Sequence, residues 1–154
     1  MKKVMIFQFL HGMPCKFLVF IISFFLFSCL SSSKDEDIQR SRIANVLQKI
    51  EESFRQANWD TIMDNYHPDF IHNGRNYHTQ RIVWRERTAL YNRLEIEVIS
   101  IEILEDYAMA KLILYYYDMT TQHGPFIEPE YIGDMSFFYY DKGQWLIYGN
   151  QDRD

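Results

Sequence analysis

The chain has 154 residues, which leaves room for one domain, and 17% of them are aromatic, which is high. Rings at this density are typical of a core or cavity built from aromatic side chains. The net charge of −5 makes nucleic acid a poor partner, because binding to it depends on neutralising phosphates, so we expect no nucleic-acid partner.

An apolar run over residues 17–27 follows Lys2, Lys3 and Lys16. A helix needs roughly 20 apolar residues to span a bilayer of about 30 Å, so this run is too short. Its length is typical of the hydrophobic region of a secretory signal peptide. We therefore predict a signal peptide over residues 1–28, with either Met1 or Met13 as the start.

The run ends in Leu26-Phe27-Ser28-Cys29, followed by a polar segment up to residue 37. This tetrapeptide resembles the lipobox of bacterial lipoproteins, in which the cysteine is acylated. The resemblance implies that Cys29 is lipidated, that residues 29–37 are a tether, and that the membrane is a partner. It implies a lipid-anchored protein of the bacterial cell envelope, in the outer membrane rather than the inner. The alternative is an ordinary signal peptide with an incidental cysteine.

Cleavage before Cys29 removes Cys15, three lysines and no acidic residue, so the net charge goes from −5 to −8. No cysteine then remains for a disulfide or a thiolate metal site. The histidines show no helical i, i+4 pair of the kind that binds zinc. We therefore predict neither a metal nor a cofactor.

Three helices are expected in the first half of the domain. A helical apolar period runs from Ile38 to about Ala57, and its predicted buried side chains are Ile43, Val46, Leu47, Ile50 and Phe54. A short helix follows, capped by Asn58 or Asp60, and His67-Pro68 ends it. Thr79 is the predicted N-cap of the third helix. We expect an apolar side made of Ile82, Val83, Trp84 and Leu90. The charged residues Arg81, Arg85, Glu86, Arg87 and Arg93 are expected to face water or a partner.

The second half of the domain is predicted to form mainly strands. Residues 70–72 form a short strand before the Asn73-Gly74 turn. Alternation from Leu94 changes phase at Val98-Ile99, which predicts a β-bulge there. Further strands are predicted over 107–118, 131–140 and 145–150, with 120–130 as a long loop. Helices first and antiparallel strands afterwards indicate an α+β domain.

Several short motifs in this order resemble the start and end of one fold family. The matching residues are Trp59-Asp60, Tyr66, Pro68-Asp69-Phe70 and the closing segment 141–149. They resemble the nuclear-transport-factor-2-like superfamily, in its SnoaL-like and ketosteroid-isomerase-like branch, over residues 38–151. The resemblance implies a cone in which three N-terminal helices pack on a curved, four- to six-stranded, mostly antiparallel sheet, with a pocket. The fold hosts enzymes, binding modules and assembly subunits, so it does not imply a reaction.

Candidate catalytic residues come from the strands. If Lys111 points outward, the even-numbered residues of strand 107–118 point inward, which brings Tyr116 and Asp118 together. An acid beside a phenol can abstract a proton next to a carbonyl and stabilise the oxyanion. Asp134 is a second candidate base. The alternatives are that Asp118 lies in water at the strand end and that Asp134 lies on an exposed face.

Aromatic and imidazole side chains are the expected ligand-binding residues: Tyr66, Phe70, His72, Trp84, Tyr116 and Trp145. Three functions stay open. The first is a non-catalytic lipoprotein that binds a small apolar or aromatic ligand or a protein partner. The second is an isomerase-, cyclase- or dehydratase-like enzyme that uses Asp118 or Asp134 as base. The third is a subunit that forms a homodimer through an aromatic outer face of the sheet.

Overall fold

A computed structural model describes residues 15–152, with side chains from residue 35 onward. The chain divides into two compact units, 1–38 and 39–154. Residues 1–14 of the predicted signal peptide lie outside the described residues, and of Cys29 only the backbone is described, inside a helix. That helix, α1 (Cys15–Arg55), includes residues 31–37, for which the sequence predicts a tether. Among the described residues, no helix is long and apolar enough to cross a membrane.

The helical period of α1 is confirmed in the second unit. Ile43, Leu47, Ile50 and Phe54 are at most 1% exposed. The short helix α2 (Trp59–Met63) is capped by Asn58, whose side chain accepts a hydrogen bond from the Thr61 amide at 3.2 Å. Satisfying an amide that has no partner inside the helix is the ordinary role of an N-cap.

Helix α3 (Tyr77–Leu90) corrects two predictions. Its N-cap is Asn76, and Thr79 stands three residues later as the reciprocal partner of a capping box. Its predicted apolar side is wrong at Ile82 and Leu90, which are 46% and 68% exposed, and is confirmed at Trp84, which is buried. Gln80, a polar residue, is the other buried residue of α3.

The described residues contain seven strands. The first two lie between α2 and α3 and form a separate hairpin around Asn73-Gly74, and the other five follow α3. Their bounds are β1 (Ile71–His72), β2 (Arg75–Asn76), β3 (Arg93–Leu104), β4 (Tyr107–Tyr117), β5 (Gln122–Glu128), β6 (Phe137–Asp141) and β7 (Gln144–Ile147). The last five form one antiparallel sheet in the order β3-β4-β6-β7, with β5 also paired to β4. The predicted bulge is confirmed, because the β3–β4 register shifts between Val98 and Ser100.

Two strand predictions are wrong. Residues 120–130, predicted as a loop, contain β5, and residues 131–136, predicted as strand, form a turn. Glycine and proline at 124 and 125 indicate a loop, but an edge strand tolerates both. Gly124 also lets β5 approach β4, since a Cβ there would lie 2.6 Å from the Leu114 carbonyl oxygen. Gly133, at φ +75°, turns the chain before β6.

The architecture is α+β, as the sequence predicts, with three helices and a five-stranded antiparallel sheet. The inner face of β4 consists of the predicted even-numbered residues Ala108, Ala110, Leu112, Leu114 and Tyr116. These residues and the buried side of α1 belong to one hydrophobic core. The core is therefore enclosed between the sheet and the helices, and polar groups inside it need internal partners.

We predict that Gly149→Ala destabilises the chain by at least about 2 kcal/mol more than Gly143→Ala. Both glycines have positive φ, +79° and +90°, so both variants carry the strain of a left-handed alanine. Only at Gly149 does the new Cβ clash, 2.1 Å from the Ile71 carbonyl oxygen, because nothing lies within 4 Å at Gly143. Urea unfolding of the full chain measures the difference, and equal losses would contradict this packing.

Candidate functional site

Asp118 lies at the exposed end of β4 and caps the β4–β5 turn. Its carboxylate accepts hydrogen bonds from the Thr120 and Thr121 amides at 2.7 and 2.8 Å and lies 2.9 Å from His123 Nε2. The hydrogen bond from His123, followed by those from the two amides, lowers the pKa of Asp118. Because these hydrogen bonds occupy the carboxylate and lower its pKa, Asp118 is a weak base. This geometry is the alternative left open by the sequence, in which Asp118 lies in water at the strand end.

Asp134 is fully buried, in the turn between β5 and β6. It accepts from Gln80 Nε2 at 2.7 Å and pairs with Arg87 Nη2 at 2.9 Å, and Arg75 Nη1 lies at 3.8 Å. Burial acts to raise the pKa of Asp134, but the Arg87 charge and these hydrogen bonds hold it below its usual value. Asp134 therefore stays ionised as the fixed partner of α3. The prediction that Arg87 faces water or a partner is wrong, since its side chain is only 12% exposed.

Tyr66 and Trp84 hold the backbone of Asp134 in place. The Tyr66 hydroxyl donates to the Asp134 backbone carbonyl at 3.3 Å, and Trp84 Nε1 donates to the Tyr66 hydroxyl at 3.0 Å. Tyr66, Trp84 and Phe70 are at most 3% exposed. These three predicted ligand-binding residues thus lie in the interior and brace the site, rather than lining an opening to solvent.

His72 is also buried and fastens the turn after β5. Its Nε2 lies 2.5 Å from the Ile132 carbonyl oxygen, and its Nδ1 accepts from the Asn150 amide at 3.3 Å. This pattern requires the neutral ring with its proton on Nε2. Burial lowers the pKa of His72 in agreement, against the opposing effect of the Ile132 hydrogen bond.

Trp145, the last predicted ligand-binding residue, lies on β7 and donates from Nε1 to Gln39 at 2.9 Å. It lines a cavity of about 720 Å³ between α1, α2 and the β6–β7 turn. The Asp134 residue and its partners do not line that cavity. The structure thus separates Trp145 from the other predicted site residues.

Glu128, at the end of β5, was missed by sequence reasoning. It is 1% exposed, and its Oε2 accepts from the amides of Ile132 (3.2 Å) and Gly133. Burial, and then the negative charge of Asp134, raise the pKa of Glu128 to about 7. The signal was available in the alternation of β5, in which Phe126 and Glu128 share the inward face. The loop predicted over residues 120–130 leaves this alternation of inward and outward side chains out of account.

We call Gln80, Arg87, Tyr116, Glu128 and Asp134 the inner polar cluster. Asp134 contacts Gln80 and Arg87 directly, and the Arg87 guanidinium lies 5.8 Å from the centre of the Tyr116 ring. Glu128 interacts electrostatically with Asp134, Arg87 and Tyr116. The cluster thus joins α3, β4, β5 and the turn after β5.

Several polar atoms of this region have no hydrogen-bond partner among the described residues. They are Gln80 Oε1, Tyr116 Oη, Glu128 Oε1 and Ser136 Oγ. Buried polar atoms without partners are rare and costly, so such a group indicates water or a ligand. Three of the four belong to the inner polar cluster, which therefore has unused donors and acceptors.

Aromatic rings surround the cluster. Trp84 stacks on the Arg87 guanidinium at 4.9 Å, and the Tyr116 ring contacts Phe54 and Phe126 at 5.9 and 6.0 Å. The polar atoms of the cluster therefore lie between aromatic rings of the core. Within the described part of the chain, no group of three or more histidine, cysteine, aspartate or glutamate side chains suits a metal ion.

A second apolar feature lies on the outer face of the sheet. A cavity of about 380 Å³ is lined there by Leu104, Tyr107, Met109, Phe137 and Tyr148 among others. Tyr107 and Leu104 are 54% and 77% exposed, and the Tyr107, Tyr139 and Tyr148 rings lie 5.0 to 6.4 Å apart. This is the aromatic outer face through which the sequence predicts a homodimer.

No protein-family model and no curated protein matches the sequence. Solved structures do match. The chain has a TM-score of 0.56 to an NTF-2 like protein of unknown function from Shewanella oneidensis, at 15% identity, covering 71% of this chain and 94% of that one. The chain has the nuclear-transport-factor-2-like fold.

Two other solved structures are similar to this chain. A protein of unknown function from Mycobacterium tuberculosis matches with a TM-score of 0.55 and 13% identity, covering 76% of this chain and 72% of that one. A putative scytalone dehydratase from Novosphingobium aromaticivorans matches with a TM-score of 0.54 and 7% identity, covering 76% and 84%. At such identities the likeness establishes the fold alone.

We predict that Asp134→Ala lowers the free energy of unfolding by about 3–5 kcal/mol, because it leaves Arg87 buried without its counter-charge. The matched control is Glu130→Ala, which breaks the exposed Lys111–Glu130 pair of 3.2 Å and should cost less than about 1 kcal/mol. Denaturant unfolding of both full-length variants measures the two losses. Similar losses for both would show that Asp134 and Arg87 do not compensate each other.

Proposed function

We propose that this is an envelope-anchored lipoprotein whose inner polar cluster binds a small molecule with an aromatic or apolar body and a polar head. The observation that carries the proposal is the set of buried, unpartnered polar atoms on Gln80, Tyr116 and Glu128. A ligand head group would supply the missing hydrogen bonds, and leaving these atoms unsatisfied would cost about 1–3 kcal/mol each.

The surrounding rings support the proposed ligand body. Trp84, Phe54, Phe126 and the ring of Tyr116 provide apolar and π-electron contacts around the polar atoms. Asp134 and Arg87 hold each other, so they fix the geometry of the cluster. Tyr116 and Glu128 keep free capacity, and a rigid frame with a few free polar atoms favours specific recognition.

A second candidate function is proton transfer next to a carbonyl, and one observation favours it. Glu128 has a pKa of about 7, close to neutral pH, where a general acid or base works best. In this candidate Glu128 replaces Asp118 and Asp134 as the base, since both of those carboxylates are engaged by hydrogen bonds and have lowered pKa values. Tyr116 would donate to the developing oxyanion.

Binding is tested with the purified full-length protein and a series of small aromatic probes: phenol, benzyl alcohol, acetophenone, benzamide and benzoate. We expect saturable binding of at least one probe, seen as a change in tryptophan fluorescence. Tyr116→Phe should weaken it about five- to tenfold, because it removes one hydrogen bond worth about 1 kcal/mol or more. The matched control is Tyr115→Phe, the neighbouring position on the opposite face of β4, and it should leave binding unchanged.

Equal binding by wild type, Tyr116→Phe and Tyr115→Phe would place the ligand elsewhere, for example at the outer-face cavity, and would contradict the proposal. The same samples separate binding from catalysis. Deuterium uptake into the acetophenone methyl group above the buffer rate, lost in Glu128→Gln, would favour proton transfer. Unchanged acetophenone favours binding alone.

Anchoring is the other half of the proposal, and it is supported by the resemblance of residues 26–29 to a lipobox. We expect Cys29→Ala to abolish metabolic labelling with a fatty acid and to release the protein from bacterial membranes. The matched control is Cys15→Ala, which removes the other cysteine of the chain and should leave labelling intact. Continued labelling of Cys29→Ala would refute lipidation at this residue.

A further inference from the structure

The charges around Asp134 in the inner polar cluster indicate the sign of the charge on the ligand's head group. Two guanidinium groups approach Asp134, Arg87 at 2.9 Å and Arg75 at 3.8 Å. Asp134 supplies one negative charge, so this set carries an excess of one positive charge. The excess lies inside or at the edge of the core, where the Arg75 and Arg87 side chains are 30% and 12% exposed.

Glu128 does not neutralise this excess through a direct ion pair. Its Oε2 is held by the amides of Ile132 and Gly133, and its Oε1 has no partner. Among the described residues, no arginine or lysine lies within ion-pair distance of Glu128. Its carboxyl faces Asp134, a like charge, which disfavours ionisation of both in one buried site.

Arg87 also has donors to spare. It contacts Asp134 through Nη1 at 3.4 Å and Nη2 at 2.9 Å, and a guanidinium carries five N–H groups. An anionic oxygen placed near Arg87 and Tyr116 would accept from both. The remaining oxygen of a protonated Glu128 would then donate to the same head group, since its Oε1 is free.

We propose that the molecule bound at the inner polar cluster carries an anionic head, such as an aromatic carboxylate, and that Glu128 takes up a proton when it binds. This inference rests on the binding function proposed above and specifies its ligand. The proton comes from water at neutral pH, so binding removes one hydrogen ion from the buffer. The bound state then holds two negative groups, Asp134 and the ligand, against Arg75 and Arg87.

Asp134, Arg87 and Tyr116, which act electrostatically on Glu128, keep their charge states between pH 6 and pH 8. Asp134 stays ionised and Arg87 stays charged, because their mutual attraction lowers the pKa of the first and raises that of the second. Burial raises the pKa of Tyr116, so its hydroxyl stays neutral, and burial lowers the pKa of His72. Glu128, with a pKa of about 7, changes charge within this window.

The test is the pH dependence of benzoate binding to the full-length protein, with benzamide as the neutral isostere. Benzoate should bind about tenfold more weakly at pH 8 than at pH 6, because above pH 7 Glu128 must first regain its proton. Benzamide should show no such change. Glu128→Gln, which keeps an acceptor for the Ile132 and Gly133 amides, should bind benzoate with the pH 6 affinity at both pH values.

Calorimetry on the wild type in two buffers of different ionisation enthalpy gives a second measurement that needs no variant. We expect uptake of nearly one proton per benzoate at pH 8 and little uptake at pH 6. Benzoate binding without proton uptake would overturn the protonation of Glu128, and tighter binding of benzamide would overturn the anionic head. Either result would leave the binding function intact. Failure of every aromatic probe to bind would instead refute the proposed function itself.

Discussion

The buried carboxylate of Asp134 is the constraint on which the interior of this domain depends. An ionised group at 0% exposure must be paired and hydrogen-bonded, because an uncompensated buried charge costs several kcal/mol. Arg87 and Gln80 of α3 provide that compensation. Trp84 is buried on the same side of α3 as Gln80 and Arg87, whereas Ile82 and Leu90 on the other side are 46% and 68% exposed. The side of α3 that faces the core therefore combines one large apolar ring with the polar partners of Asp134.

The same constraint separates fixed polar groups from free ones. Asp134 and Arg87 hold each other, and the backbone carbonyl of Asp134 accepts from Tyr66. Tyr116 and Glu128 lie beside this frame with polar atoms that no described residue satisfies. Tyr116 and Glu128 are therefore the groups that can bind a ligand or change protonation. Asp134 and Arg87, which are already paired, hold the frame beside them.

Local periodicity explains which features could be predicted. The apolar side of α1, the bulge near Val98 and the alternation of β4 follow from buried apolar spacing, which is visible in a few neighbouring residues. The buried side of α3 follows instead from a partner 54 positions away, since Gln80 bonds Asp134, and polar residues carry no apolar period. Glu128 was missed because glycine and proline in β5 indicate a loop, and the side chains of a loop have no predictable inward or outward position.

The fold does not decide between binding and catalysis, but the protonation states narrow the choice. Asp118 is a turn cap at the end of β4 and Asp134 is an ion-pair partner, and the pKa values of both carboxylates are lowered. Glu128 is different, because its carboxyl is poised between two charge states near neutral pH while its Oε2 still anchors the turn after β5. Arg75 joins this interior to solvent, since its partly exposed side chain reaches within 3.8 Å of the buried Asp134. An anion approaching from this side would meet Arg75 before Arg87, since their side chains are 30% and 12% exposed. Charge attraction at the surface and proton uptake in the interior would then act on the same ligand in sequence.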